Sequence, residues 1–250
     1  MLGFGGVAVG SLLTASLLSG LSTPLGAWIV VSARVLSDRF LAYVLALASG
    51  VMVTMVFTEL APTGIHMVGP LSFAAGAGSG AVALGLLRSG LGGLNHRSAG
   101  DTRRLRFVGW FIALAMALHD IPEGMAIGAG DAVGHELGLV IALAIALHNI
   151  PEGMSIAAPL HMGGVRRRRI LMATLFIGFV TPLGTLASVW LGRMGPTWSA
   201  FILALASGAM LYVVGRDTLP EALRAGRIPT AVGLLSGVIL MLALASIHGM

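Results

Sequence analysis

Two hexapeptides, His119-Asp120-Ile121-Pro122-Glu123-Gly124 and His148-Asn149-Ile150-Pro151-Glu152-Gly153, gather two imidazoles, three carboxylates and an amide into clusters 29 residues apart. Imidazole nitrogen with carboxylate oxygen is a donor set suited to a borderline divalent transition metal. On a helix, residues three and four apart share a face. His119 therefore stacks over Glu123 with Asp120 beside it, and His148 over Glu152 with Asn149 beside it. Two glutamates are available to bridge, so the set is large enough for a binuclear metal site. Proline donates no backbone hydrogen bond and clashes with the carbonyl four residues back. Pro122 and Pro151 are thus expected to break or bend their helices and to free the Leu118 and Leu147 carbonyls. Gly124 and Gly153 let neighbouring helices approach closely.

These polar clusters lie in sequence that otherwise reads as lipid-soluble. The chain of 250 residues is 56% hydrophobic and 10% charged, with a mean hydropathy of +0.94, whereas soluble domains carry about 25% charged residues. Apolar segments long enough to cross a bilayer, about 20 residues each, fall at roughly 4–31, 40–60, 68–88, 107–129, 137–159, 170–192, 198–220 and 229–249. The unbroken runs lack the alternation of a membrane β-barrel. The fold class expected is all-α: a polytopic membrane protein of eight spans forming a single transmembrane domain over 1–250. The first segment has no basic leader region and no cleavage site before a polar chain, and reads as a retained span. The sequence contains no cysteine, so any metal is held by nitrogen, oxygen or thioether.

An ionised carboxylate at mid-bilayer costs several kcal/mol and ordinarily faces a partner. Each cluster falls near the middle of its span, with no arginine at that depth, and a cation from outside the chain best supplies the partner.

Internal repeats explain why there are two clusters. Thr23-Pro24-Leu25-Gly26 recurs as Thr181-Pro182-Leu183-Gly184, and residues 45–52 (LALASGVM) recur at 203–210 (LALASGAM), both at a spacing of 158. Residues 112–129 match 141–158 at fourteen of eighteen positions. Spans 1–3 thus duplicate spans 6–8, and span 4 duplicates span 5. Fourteen of the fifteen arginines fall on one side of the eight-span order, with Arg193 alone on the other. By the positive-inside rule, both termini are extracytoplasmic, and each repeated pair runs in opposite directions. The arrangement is a 3+2+3 inverted repeat, the usual build of secondary transporters, whose substrate site lies near the midplane.

The repeat equates Glu59, at the outer end of span 2, with Asp217, at the inner end of span 7, one acid at each mouth of a pathway; the bland alternative is an interfacial charge at a helix end. Met52 lies two turns before Glu59 and offers a thioether, although a lone methionine commonly packs a core. His66, His135 and Glu136 in outer loops, and His96 and His161 on the inner side, read as solvated. The Arg166–Arg169 run reads as a topological anchor. A proton relay, an intramembrane metallohydrolase and a purely structural bundle are the rivals. No HExxH pattern and no spare general base favours the hydrolase, and a structural bundle needs no carboxylates at mid-membrane.

At the two hexapeptides the sequence resembles the ZIP family of divalent metal transporters. The resemblance extends to eight spans, the inverted repeat and the SGVM and SGAM segments of spans 2 and 7. It implies a prokaryotic transporter that moves zinc, and often iron, manganese or cadmium, into the cytoplasm across the cell (inner) membrane, with no enzymatic activity and no organic cofactor. Its partners would be the lipid bilayer and the metal ions, not nucleic acid, with a homodimer left open. Carried over by motif, His119, Glu123, His148 and Glu152 would form the primary site with Met52, and Asp120, Asn149 and the same glutamates the second site. The first motif usually has asparagine at the position of Asp120, and many members have glutamate at that of Thr181. One carboxylate is gained and one lost. A histidine-rich inner loop found in some members is missing between spans 3 and 4.

Overall fold

A computed structural model describes residues 6–33, 36–90, 101–133, 135–191 and 196–247; Arg34, His96, Arg97 and Arg193 lie outside them. The described residues are almost wholly helical, without strands, and form eight helical stretches long and apolar enough to cross a membrane: Gly10–Ser32, Asp38–Val68, Pro70–Gly90, Thr102–Gly128, Gly138–Met162, Arg167–Ser188, Ala200–Ala225 and Arg227–Leu244. Each contains the centre of a segment read from the sequence. Large apolar side chains such as Leu71 and Ile228 are exposed on their outer faces, as a lipid-facing surface requires.

Four spans carry interruptions, and the interruptions obey the repeat. Span 1 consists of α1 (Gly6–Gly20) and α2 (Ser22–Ser32), and span 6 of α8 (Arg167–Gly178) and α9 (Val180–Leu191). Their breaks, at Leu21 and Phe179, are 158 residues apart and each precedes a Thr-Pro-Leu-Gly segment. Span 2 runs through α3 (Asp38–Met55), a π-helical turn (Val56–Leu60) and α4 (Ala61–Val68). Span 7 repeats this as α10 (Pro196–Val213), a π-helical turn (Val214–Thr218) and α11 (Leu219–Ala225). Pro62 and Pro220 lack an N–H and crowd the carbonyl four residues back. The chain absorbs this by slipping one register: Ala61 donates to the Val56 carbonyl and Leu219 to that of Val214, five residues back in both. Such π-turns commonly mark functional positions; here they carry Glu59 and Asp217.

Span 3 is α5 (Pro70–Gly90) and span 8 is α12 (Arg227–Ile247). The central pair, α6 (Asp101–Val133) and α7 (His135–Met162), departs from the expected breaks, because both helices run without interruption through Pro122 and Pro151. One missing backbone donor does not end a membrane helix when neighbours satisfy the groups around it. Beside Pro122 the Thr185 hydroxyl of α9 donates to the Gly124 carbonyl at 2.9 Å, a further tie between α6 and α9.

Packing divides the spans into two groups. Spans 2, 3, 7 and 8 pack through α3 on α12 and α10 on α5; spans 1, 4, 5 and 6 pack through α6 on α7, α2 on α7 and α9 on α6. The groups meet where α3 lies on α7 and α10 on α6. Each of these pairings has its repeat mate, so the pseudo-two-fold relation holds for packing as well as sequence. Close glycine contacts follow the same relation. Gly153 lies against the Thr23 carbonyl and Gly124 against that of Thr181, while Gly20 and Gly178, themselves repeat mates, meet each other. Mates lie five places apart in the span order, with four spans between them, so spans 1–3 run opposite to spans 6–8.

Candidate metal site

The inner faces of α6 and α7 carry all six polar residues of the two hexapeptides, and each is almost completely buried, none more than 2% exposed. The two helices pack along their lengths, and the short spacing allowed by Gly124 and Gly153 draws α9 and α2 against their far sides. The site is therefore enclosed by the two central helices and by the broken spans 1 and 6.

Glu123 is its centre. His148 Nε2 donates to Glu123 Oε1 at 2.8 Å, and His119 Nε2 stands 2.6 Å from the same oxygen. Donor atoms of His119, Glu123 and Glu152 all lie within 4.8 Å of one another. The Asp120 carboxylate is within electrostatic reach of Glu123, Glu152 and His119. Asn149 is anchored on the far side, its Nδ2 donating to the Ser19 carbonyl at 3.2 Å. That bond fixes which way the amide points.

Many of these atoms have no protein partner. His119 Nδ1, His148 Nδ1, Asp120 Oδ2, Glu123 Oε2, Asn149 Oδ1 and Glu152 Oε1 are buried without a hydrogen bond among the described residues. Buried polar atoms are ordinarily paired, because each unsatisfied one costs about 1–3 kcal/mol, and more when charged. A cluster of six such atoms, rich in carboxylate and imidazole, is a donor set of the chemistry that suits a cation. The donors of a tetrahedral zinc stand about 3.3 Å apart, from bond lengths near 2.0–2.2 Å. Glu123 Oε1 and the two histidine nitrogens, at 2.6 and 2.8 Å, need to separate by about 0.5–0.7 Å to reach that spacing.

Other residues singled out from the sequence are more dispersed. Met52 is fully buried on α3, the helix that packs on α7. Glu59 is half-buried in its π-turn and acts electrostatically on His148, which connects that end of span 2 to the centre. Asp217 is buried in the mate turn and ion-paired with Arg88 at 2.7 Å. His66 and Glu136 are exposed, His161 is half-buried, and the side chain of His135 lies outside the described residues.

Sequence reading missed several contributors. Ser19, at the end of α1, offers the carbonyl that holds Asn149. Thr181, singled out from the sequence as the place of a lost carboxylate, and its repeat mate Thr23 are buried with unpartnered hydroxyls among the described residues, one after each helix break. Arg88, Arg104 and Glu221 form ion pairs that no spacing rule foretells.

A helical membrane protein built as an inverted repeat, with a polar cluster on its central helices, has the architecture of a secondary transporter. The family described as ZIP Zinc transporter matches residues 90–245. Among individual relatives, a protein named zinc transporter ZupT from Chlorobium luteolum is 34% identical over 249 residues, covering 90% of this chain and 93% of that protein. A ZupT from Corynebacterium aurimucosum is 33% identical over 90% of this chain and 92% of its own. The protein named zinc transporter GufA from Myxococcus xanthus is 39% identical over 133 residues, 52% of each chain. The chain belongs to the ZIP family, and these relatives are bacterial.

Proposed function

We propose that this protein carries zinc into the cytoplasm, through a site formed by His119, Glu123, His148 and Glu152 on spans 4 and 5. The observation that carries the proposal is the buried convergence of these donors on Glu123 in a chain whose relatives are named zinc transporters. Asp120 and Asn149 lie one residue beyond the histidines and extend the donor set toward a second ion bound through the same glutamates. Met52 contributes from span 2 as a soft donor. Iron, manganese and cadmium are compatible with the same ligands.

The arginine distribution supports a chain with both termini outside an inner membrane and the basic connections inside. All eight spans then act as one transport unit. The ion enters by the end that carries Glu59, reaches the centre, and leaves past Asp217 when the two groups of spans move against each other. Charged site residues explain why the ion is drawn from water, and dehydration is offset by the imidazole and carboxylate ligands. The test is uptake into proteoliposomes. Glu123→Ala and Glu152→Ala are expected to abolish zinc uptake while inserting normally, and uptake at the parent rate in both would overturn the proposed site.

A further inference from the structure

The boundary between the two groups of spans is closed at one end by charge. Asp217 and Glu221, both on span 7, are buried acids, with side chains 0% and 5% exposed. Arg88, in the last turn of α5, grips Asp217 with Nε at 3.1 Å from Oδ1 and 3.2 Å from Oδ2, and with Nη2 at 2.7 Å from Oδ1. The same guanidinium lies over two rings of α6 in the other group, 5.4 Å from the centre of Phe107 and 5.7 Å from that of Phe111. Arg104, also on α6, donates to Glu221 at 3.0 Å. Both contacts with α6 cross from one group to the other.

Their position bears on transport. Arg104, Phe107 and Phe111 precede His119 on α6, with Phe111 about 12 Å before it along the helix. Between this cluster and the metal site, Ile112, Ala115 and Met116 of α6 and Met210 and Val213 of α10 are buried, so the seam is shut. A static seam has no need of ions, since a buried pair is commonly no more stabilising than apolar groups of the same volume. Ion pairs differ in that they can separate into water and re-form in register. Each acid here is held by an arginine that the fold itself supplies.

We propose that Arg88 and Arg104 are tethered cations that close the cytoplasmic exit by occupying Asp217 and Glu221, and that the exit opens when these pairs part. Parting lifts Arg88 from the α6 rings, lets the two groups separate, and exposes two carboxylates to the departing metal; the arginines return once it has left. Arg88, Arg104 and Glu221 are thus gating residues and not ligands of the central site. The inference rests on the transport reading above, but its test needs no flux.

The protein contains no cysteine, so a single Val213→Cys reports on the shut seam. The full-length variant is reconstituted in vesicles and labelled with a membrane-impermeant maleimide from each side in turn. Glu221→Gln and Asp217→Asn, added separately, are expected to raise labelling from the cytoplasmic side more than threefold. The exchange Arg104→Glu with Glu221→Arg is expected to restore the slow rate, which a general loosening of the fold would not. Acceleration below threefold in both single variants, or an exchange variant as fast as Glu221→Gln, overturns the gate. Zinc-dependent thermal stabilisation of the same samples judges the central site separately: a parent protein that zinc does not stabilise counts against the transport reading, whatever the labelling rates.

Discussion

Replacing Gly153 or Gly124 by alanine tests whether the repeated backbone contacts set the spacing of the metal site. A methyl carbon at position 153 would stand 2.8 Å from the carbonyl carbon of Thr23 and 3.1 Å from its Cα; at position 124 it would stand 2.9 Å from the carbonyl carbon of Thr181 and 2.8 Å from the Thr185 nitrogen. Ordinary carbon contacts lie near 3.5–4.0 Å, and the obstacles here are backbone atoms that cannot rotate away. The helices must part by roughly 1 Å, and overpacking of this kind costs about 1–3 kcal/mol. For a chain of this size that lowers Tm by roughly 2–12 °C. Glu152 and Glu123 directly precede the two glycines, so the displacement also moves a proposed ligand. A saturating ligand at a hundred times its Kd stabilises by about 2.7 kcal/mol, and each variant is expected to lose most of that zinc-dependent gain. The assay is thermal unfolding of purified protein in detergent with and without zinc. Gly78→Ala is the control, because nothing lies within 4 Å of a methyl there and alanine favours a helix by about 1 kcal/mol. Parent-like Tm and parent-like zinc stabilisation in both Gly153→Ala and Gly124→Ala would refute the reasoning.

Asp120→Asn is expected to alter the ranking of metals in competition uptake more than it lowers zinc flux, since it removes one of three site carboxylates; an unchanged metal panel would count against a role for its charge. Met52→Leu should reduce cadmium uptake more than manganese uptake, because only the softer ion gains from a thioether; equal loss of both would point to packing alone. Zinc should compete with protons for the imidazoles and carboxylates of the site, since only their deprotonated forms ligate, so titration calorimetry in buffers of different ionisation enthalpy should give buffer-dependent heats and weaker binding at lower pH. Thr185→Val should lower stability by about 1 kcal/mol through loss of its bond to the Gly124 carbonyl, measured as a shift in Tm.

The eight spans were legible because a membrane leaves the chain one solution: long apolar helices that satisfy their own backbone. The burial of the candidate site's residues was legible because six polar residues at helical spacing, repeated after 29 positions, have no apolar rationale. Breaks in the helices were harder to place. Pro122 and Pro151 looked like the interruptions, yet α6 and α7 continue through them, while the chain breaks at Leu21 and Phe179 and slips register before Pro62 and Pro220. A proline costs one hydrogen bond, and its neighbours in space decide how the chain answers; sequence does not name those neighbours. The same limit hid Arg88 and Arg104. Their numbers fit the pattern of inner-loop arginines, and only the packing of α5 and α6 beside span 7 turns them toward Asp217 and Glu221. The repeat itself foretold the pairing of Gly124 with Thr181 only after that of Gly153 with Thr23 was seen, since symmetry relates contacts without creating the first.

The central claim is that Glu123 and Glu152 hold a transported metal at the meeting of spans 4 and 5. Its most direct test is zinc flux into proteoliposomes containing the parent protein, Glu123→Ala or Glu152→Ala, with zinc, iron, manganese, cadmium and magnesium offered one at a time. Saturable uptake of zinc by the parent, exclusion of magnesium, and loss of uptake in each correctly inserted variant is the expected result. Zinc uptake by either variant at the parent rate, or no transition-metal uptake by well-inserted parent protein, would contradict it.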